Sequence, residues 1–243
     1  MRLNKFLAKA GIASRRRADT LIEEGHVFVN GELVTSLGTQ VDETKDAVSV
    51  DNKPVKISDE YIYIMLHKPV SYLVTRQDEF GRQTVMDLVG KYRNVAKPVG
   101  RLDLNSSGLL LLTNDGELAF RLTHPRFKID KTYSVKCEGY LTEEEAGRLE
   151  KGVAIEGGIT APAKVKITMQ GKDFSRFEIT IHEGKKRQVR LMCLAVKHEV
   201  IALKRLTFGN LQLDDLKEGK YRLLTSEEAK TLKGIVGLWK NLR

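Results

Sequence analysis

The sequence predicts an α+β protein in which a small module of helices and strands, residues 1–60, precedes a mixed, mainly antiparallel β-sheet domain, residues 61–243. Two observations carry this prediction. The first 55 or so residues hold two short helical patterns and two tight-turn signals. From Ile62 onward, many strand patterns follow one another with helices interspersed irregularly, which favours α+β over a strictly alternating βαβ stack. With 243 residues, 41% of them hydrophobic, the chain can bury a good-sized core and a small second one.

A helix hairpin is predicted at the start of the module. Apolar residues recur at helical spacing from Leu3 to Ala10, and Gly11 ends that helix. Ser14 can cap a second helix over RRRADTLIEE, which Gly25 ends. The two short helices are expected to pack against each other.

Two strand pairs complete the module. HVFVNGELV alternates around Asn30-Gly31, the strongest short hairpin signal, and VSVDNKPVKI forms a second pair around Asp51-Asn52. Residues 55–61 (VKISDEY) have the character of a linker. A module this small has no deep core, which favours a binding function over a catalytic one.

In the larger domain, strands and helices follow in a fixed order. The predicted strands are YIYIMLHK, SYLVTRQ, LLLLTND, KTYSVKCEG, AKVKITMQ, FEITIHEG, IALKRLTFG and KYRLLT. The predicted helices are Val85–Val89, Gly116–Thr123, Thr142–Lys151 with a capping box, Gln188–Lys197 and a tail beginning at Ser226.

The charge of the chain points to a polyanionic partner. There are 41 Lys and Arg residues against 32 Asp and Glu, a net charge of +9. The first seventeen residues contain basic side chains and no acidic ones. A surplus of this kind is typical of proteins that bind nucleic acid.

Several kinds of chemistry lack their usual motifs. The sequence has no GxxxxGK[ST] and no GxGxxG after a strand, so we expect no nucleotide cofactor. The His residues show no paired metal spacing, and Cys137 and Cys193 stand far apart in apolar surroundings, so neither a metal nor a disulfide is expected. No apolar run approaches the roughly 20 residues of a membrane span and no signal-peptide pattern is present, so we expect a cytoplasmic protein without membrane contact.

Three stretches contain the candidate reactive residues. Asp103 stands in PVGRLDLNSSGLLLLTND, in a polar loop directly before an apolar strand, where an Asp most often serves a turn. Tyr133 lies in the strand KTYSV, where it is also typical of a half-buried strand tyrosine. HEGKKRQVRLM places a basic loop ahead of a helix that carries Arg190, a pattern also typical of a solvated helix start.

Taken together, these stretches resemble the RsuA/RluB group of ribosomal RNA pseudouridine synthases. The resemblance rests on GRLDLNSSGLLLLTNDG, HP…KTY, EGKKRQVR and the late KRLTFGNLQLDDLKEGKYRLLT in this order. The first 55 or so residues are similar to the alpha-L RNA-binding module that precedes the catalytic domain in that group. The resemblance implies the pseudouridine synthase fold and isomerisation of uridine to pseudouridine in RNA without a cofactor.

The resemblance also implies roles for individual residues. Arg101 matches the wedge that fills the gap left by a flipped base, and Asp103 matches the catalytic aspartate. Whether Asp103 acts as nucleophile on the sugar carbon or as base at the neighbouring carbon stays open. Tyr133 matches the tyrosine that stacks under the base, and Arg190 matches the residue that pairs with the aspartate.

A wider set of basic side chains is expected to contact RNA. Its members are Arg2, Lys5, Arg15, Arg16, Arg17, Arg82, Arg101, Lys185, Lys186 and Arg187. The stretch TRQDEFGRQTVMDLV, which contains Arg82, resembles the large-subunit branch of the group. The chain departs from the common pattern at Ser106, at His67 and Ser71, and at Leu191.

The expected partner is ribosomal RNA or a precursor of a ribosomal subunit, bound by a monomer. A small-subunit target and a non-catalytic RNA-binding protein are the alternatives, although the second leaves GRLD unexplained. An RNA methyltransferase with the same module would need a glycine-rich loop after an early strand, and the sequence has none.

Overall fold

The computed structural model describes residues 1–57 and 60–239. The chain divides into two compact units, one made of Met1–Ile62 with Asn114–Gly116 and the other of Tyr63–Thr113 with the chain from Glu117 on. Part of the predicted linker, positions 58 and 59 of residues 55–61, lies outside the described residues.

The helix hairpin predicted at the start of the first unit is confirmed. It consists of α1 (Leu3–Lys9) and α2 (Arg15–Glu23). The Ser14 hydroxyl accepts a hydrogen bond from the Arg17 backbone N–H at 3.2 Å, so it caps α2 as expected. The apolar faces of both helices lie in a small core that includes the fully buried Leu7.

The two predicted strand pairs form one four-stranded sheet. Its strands are β1 (Val27–Val29), β2 (Glu32–Leu33), β3 (Val48–Val50) and β4 (Lys53–Val55), in the order β2-β1-β3-β4. Asn30 and Gly31 have φ of 53° and 85°, and Asp51 and Asn52 have φ of 49° and 61°. Positive φ at both central residues is the requirement of the tight hairpin turn that these dipeptides predict.

The strands that follow build the second unit. They are β5 (Tyr63–Lys68), β6 (Lys97–Pro98), β7 (Ser106–Thr113), β8 (Lys131–Glu138), β9 (Ala154–Ile155), β10 (Gly158–Ile159), β11 (Lys164–Gln170), β12 (Phe174–Ile181), β13 (Val200–Phe208), β14 (Leu211–Gln212) and β15 (Tyr221–Leu223). The remaining α-helices are α3 (Gly116–Thr123), α4 (Glu143–Lys151), α5 (Gln188–Ala195) and α6 (Ser226–Ile235). The capping box predicted at Thr142 and Glu145 is present at the start of α4.

A mixed sheet organises this unit, as predicted. Its strand order is β11-β12-β8-β13-β7-β5-β15, with β14 beside β13 and β6 beside β7. Of these pairings β13 with β7 is parallel and the rest are antiparallel. At that pairing a Cβ on Gly108 would overlap the backbone of Arg205, so glycine permits the close approach of the two strands.

Helices cover the sheet at two places and close two apolar cores. One core packs α4 and α5 against β8 and β12 and includes Phe177 and Met192. The other packs α3 and α6 against β7 and includes Leu109 and Leu232. Burial of these faces against the sheet provides the main stabilisation of both helix pairs.

Two predicted elements are wrong. SYLVTRQ is not a strand; Leu73 makes one isolated bridge, to Thr84, and its backbone pairs with Gln83 and Val85 across a loop that returns on itself. The helix predicted at Val85–Val89 is a single 3-10 turn, Val85–Leu88, closed by a capping box between Thr84 and Asp87. Local apolar patterning does not distinguish such a closed loop from a strand.

Among the helices of the described ranges, none is long and apolar enough to cross a bilayer.

Candidate active site

An open cleft of about 520 Å³ lies on the second unit, where β8 and β13 meet the loop before β7. Tyr133 of β8 and Arg205 of β13 are register partners and both line it. Paired residues of neighbouring strands project from the same sheet face, so these two side chains form its floor. Asp103 lines the same cleft from the loop.

Asp103 is half-buried at the last bend before β7. Its backbone carbonyl accepts a hydrogen bond from the Ser106 N–H at 3.1 Å, which closes the turn over Leu104 and Asn105. Among the described residues, its carboxylate makes no hydrogen bond and no ion pair within 4.0 Å. The side chain therefore does not serve the turn, which was the alternative interpretation.

A buried lysine supports the turn from below. Lys68 at the end of β5 is fully buried, and its Nζ donates to the carbonyl oxygens of Pro69 and Ser106, each at 2.8 Å. Burial lowers the pKa of Lys68 to about 8, while the negative charge of Asp103 acts in the opposite direction. Sequence reasoning missed this role, although a lysine closing the apolar strand IYIMLHK is a detectable signal.

Arg190, on α5, holds the same turn from the other side. Its Nη2 donates to the Asn105 carbonyl at 2.8 Å and its Nη1 to the Val200 carbonyl at 3.0 Å. Burial, and then the nearby charge of Arg187, lower the pKa of Arg190, whereas Asp103 raises it. The expected direct pair with Asp103 is not formed within 4.0 Å among the described residues, because the guanidinium is engaged by the two carbonyls.

Tyr133 lines the cleft from β8. It pairs with Ile179 of β12 on one side and Arg205 of β13 on the other, and its ring packs partly against the core below α5. A strand tyrosine held on both sides presents a fixed ring to the cleft.

Two further cations complete the floor of the cleft. Lys131 of β8 donates from Nζ to the carbonyls of Ile129 at 2.7 Å and His182 at 3.1 Å. Arg205 is 3% exposed, and its Nε donates to the Leu109 carbonyl at 2.7 Å. Burial, and then the charge of Arg205, lower the pKa of Lys131 to about 8. The sequence motif KTY contains Lys131, but nothing in the local pattern pairs it with Arg205.

Four of the predicted RNA-contacting residues of this unit line the cleft. Arg101, Lys186 and Arg187 are exposed and line the cleft. Lys185 also lines it, but its Nζ donates to the Ile159 carbonyl at 2.7 Å and lies 3.8 Å from Glu183. Three of the four therefore present their charge to solvent at the rim.

Arg82 belongs to a different structure, the loop between Leu73 and Thr84. Its Nη2 lies 2.6 Å from an Asp78 oxygen, and hydrogen bonds from the Arg82 side chain, then from its backbone, lower the pKa of Asp78 to about 2. Arg82 is thus engaged in ordering its own loop, whose tip carries the exposed Phe80.

The predicted RNA-contacting residues of the first unit are all exposed. They are Arg2, Lys5, Arg15, Arg16 and Arg17. Arg17 lies 3.4 Å from Glu24 in a solvent-exposed pair, a contact of small energetic weight. The other four carry no ion pair within 4.0 Å among the described residues, so their charge is available to a partner.

Neither cysteine has reactive character. Cys137 and Cys193 are buried free thiols, and burial raises the pKa of both. Within residues 1–57 and 60–239, no group of three or more His, Cys, Asp or Glu side chains is placed to hold a metal ion.

Comparison with known proteins identifies both parts of the chain. Residues 62–195 match the RNA pseudouridylate synthase family, and residues 1–48 match the S4 domain. The chain is 45% identical to the ribosomal large subunit pseudouridine synthase B of Bacillus subtilis (strain 168), over 99% of this chain and 98% of that one. It is 44% identical to an uncharacterized RNA pseudouridine synthase of Aquifex aeolicus (strain VF5), over 98% and 96%. A crystal structure of a pseudouridylate synthase superimposes with a TM-score of 0.70 at 31% identity, covering 96% of this chain and 99% of that one.

Proposed function

Because this chain belongs to the RNA pseudouridine synthase family and is therefore an isomerase, we propose that it converts a uridine of large-subunit ribosomal RNA to pseudouridine with Asp103 as its catalytic group. One observation carries the assignment of Asp103: its carboxylate lines the cleft without an internal partner among the described residues, on a turn held by the buried Lys68 and the half-buried Arg190. The large-subunit target is supported by the full-length match to a relative of that name.

The target base must first leave its stack, because its glycosidic bond is inaccessible in a folded RNA. Base flipping costs a few kcal/mol, and filling the gap offsets part of that cost. Arg101 is exposed two positions before Asp103 and lines the same cleft, which suits a wedge that enters the RNA as the base enters the cleft.

Asp103 then acts on the ribose. Either its oxygen bonds to C1′, or it removes the proton at C2′; in both cases the N1–C1′ bond breaks and its electron pair leaves with the uracil. The uracil rotates and C5 bonds to C1′; as it does so, the bond between C1′ and the Asp103 oxygen breaks, or the C2′ proton returns to the sugar. The proton on C5 is then removed, and N1 takes up a proton. The product has the same atoms as the substrate, so no co-reactant is required.

Residues around Asp103 supply orientation and charge. Lys68 and Arg190 donate to the carbonyls of Ser106 and Asn105, which fixes the turn that carries Asp103. Tyr133 offers its ring as a stacking surface and its hydroxyl as a group that can take part in the final proton transfer.

The target is tested by incubating the purified protein with large-subunit and small-subunit ribosomal RNA and mapping pseudouridine by chemical adducts and reverse-transcription stops. We expect new stops in the large-subunit RNA. Modification confined to small-subunit RNA would overturn the large-subunit assignment, and modification of neither RNA nor their precursors would overturn the rRNA assignment as well.

The exposed arginines of α2 are expected to contribute affinity and not chemistry. Replacing Arg15, Arg16 and Arg17 together by Gln removes three charges from one helix, so RNA affinity should fall and the slope of log K against log salt should become shallower by about 2. Turnover at saturating RNA should not change. The measurement is RNA binding across a salt series.

A matched control replaces the exposed Lys151, Lys164 and Lys172 by Gln, which alters the net charge equally on the second unit. If both triple variants lose the same affinity and slope, the effect is one of overall charge, and the contact assigned to α2 is wrong.

The Arg101→Ala and Lys186→Ala variants are expected to lose different properties, the saturated rate and the RNA affinity respectively. Arg101→Ala removes the proposed wedge, so single-turnover conversion at saturating RNA should slow by at least about tenfold. Lys186→Ala removes one proposed phosphate contact, so affinity should fall modestly, the salt slope should drop by about 1, and the saturated rate should persist. Equal defects in affinity alone at both positions would contradict the assignment of Arg101.

A further inference from the structure

Lys131 and Arg205 stand out as cations on the cleft floor whose charge no protein carboxylate neutralises. Within the described ranges, neither makes an ion pair within 4.0 Å. Asp130, next to Lys131 in the chain, raises the Lys131 pKa less than burial and Arg205 lower it. A buried cation without a paired anion is costly, so its retention favours a ligand that brings negative charge.

Both cations are held in place by backbone oxygens. Two carbonyls position the Lys131 ammonium, and the Leu109 carbonyl holds Arg205 by its Nε. Arg205 further rests on the Phe208 ring, with its guanidinium carbon 5.0 Å from the ring centre. Its Nη2 is buried and has no hydrogen-bond partner among the described residues. The Arg205 guanidinium therefore keeps an unused donor, and its side chain lines the same cleft as Tyr133 and Asp103.

The rim and the floor of the cleft suit different groups of a nucleotide ligand. A phosphate is strongly hydrated and suits the exposed rim, where Arg101, Lys186 and Arg187 lie. A flat base with carbonyl oxygens and little charge in its ground state suits the floor, where Arg205 is 3% exposed. The floor cations therefore fit the base of the target nucleotide better than its phosphates.

We propose that Lys131 and Arg205 bind the carbonyl oxygens of the flipped uracil and stabilise the negative charge that forms on the ring when the N1–C1′ bond breaks. This assignment rests on the proposed function. When the bond breaks, its electron pair spreads from N1 to the ring carbonyl oxygens, which then face the ammonium and the guanidinium. When C5 attacks C1′, that pair forms the new C–C bond and the charge on the ring disappears.

The energetic advantage lies in the change of charge. Neutral uracil gives the two mutually repelling cations little relief, whereas the uracil anion neutralises them where burial weakens the screening of charge by water. Interactions that strengthen as charge develops lower the barrier more than they tighten substrate binding. Burial is the main cause of the low Lys131 pKa, and the positive charge of Arg205 adds the repulsion that the anion would relieve.

The proposal is tested by changing the stability of the leaving group, the uracil anion. Lys131→Met keeps the length of the side chain and removes its charge, and we expect single-turnover conversion of uridine to slow by about 10²-fold at unchanged RNA affinity. Fluorine at C5 stabilises the uracil anion by itself, so with RNA containing 5-fluorouridine at the target the defect should shrink by about tenfold. Conversion is followed as disappearance of the N-glycoside after digestion to nucleosides, since a C5 bearing fluorine has no proton to lose.

Variants of Arg205 in the same assay provide a second test. Arg205→Lys keeps the charge and should retain more activity than Arg205→Met, and it remains informative if Arg205→Met does not fold. The matched control is Lys204→Met, the neighbouring residue of β13 on the opposite sheet face, which should convert both RNAs at the parent rate.

Equal defects on uridine and 5-fluorouridine would overturn the proposal, since they would indicate a positional or structural effect. A loss of RNA affinity with an unchanged saturated rate would also overturn it, in favour of a phosphate contact. A parent protein that modifies no RNA is a separate result, because it contradicts the proposed function before any variant is compared.

Discussion

Asp103→Asn is expected to fold and to bind ribosomal RNA like the parent protein while forming no detectable pseudouridine. Asn matches Asp in shape and in its capacity to occupy a turn, so the bend closed by the Ser106 N–H should persist. The amide can neither attack C1′ nor take a proton from C2′ as a carboxylate does, so the rate should fall by at least about 10⁴-fold.

The measurement is pseudouridine content after single-turnover incubation with excess enzyme, together with RNA affinity and thermal stability. The control is Asp173→Asn, which neutralises an exposed carboxylate between β11 and β12 and should leave all three quantities unchanged. A folded Asp103→Asn protein that converts uridine at the parent rate would remove Asp103 from the mechanism.

Arg190→Ala is expected to have the second largest effect, and to lower both the stability of the protein and its saturated rate. It removes the donors to the Asn105 and Val200 carbonyls, so the turn carrying Asp103 loses its link to α5 and to β13. The free energy of unfolding should fall by about 1–3 kcal/mol, the usual cost of stranding partly buried acceptors. The saturated rate should fall by at least about 10²-fold, because a misplaced carboxylate reacts poorly.

Arg190→Lys separates charge from geometry. A lysine keeps the positive charge near Asp103 but lacks the planar guanidinium that reaches two carbonyls from one side chain. We expect intermediate activity, with stability nearer to that of Arg190→Ala. Parent-level activity in Arg190→Ala, measured by the same single-turnover assay, would contradict a positioning role for this arginine.

Local rules were sufficient for most of the fold. The hairpins at Asn30-Gly31 and Asp51-Asn52, the Ser14 cap and the Thr142 capping box depend on the chemistry of a few adjacent residues, and all are present. The prediction of a strand at SYLVTRQ was wrong because the pairing there is not local. Leu73 pairs with residues beyond the next turn, and the adjacent sequence does not indicate this pairing.

The site shows the same division between local and distant information. The resemblance singled out Asp103, Tyr133 and Arg190; the first two line one cleft and the third holds the turn of Asp103. The sequence did not indicate which group each basic side chain contacts. In the structure, Arg82 pairs with Asp78, and Lys185 donates to the Ile159 carbonyl. These choices are settled by what the tertiary fold brings near each charge.

The place of β13 in the sheet has a consequence for how the protein matures. This strand lies between β7 and β8, yet the ribosome makes it after both, and its parallel contact with β7 joins Leu203 to Ser106. Contacts between such distant parts of a chain form slowly, because a long loop must close before any of them is gained. Asp103 and Tyr133 are therefore already synthesised while the strand that should separate β7 from β8 is missing. A growing chain therefore lacks the cleft lined by Asp103, Tyr133 and Arg205 until β13 has inserted, so activity can appear only after that strand has been synthesised.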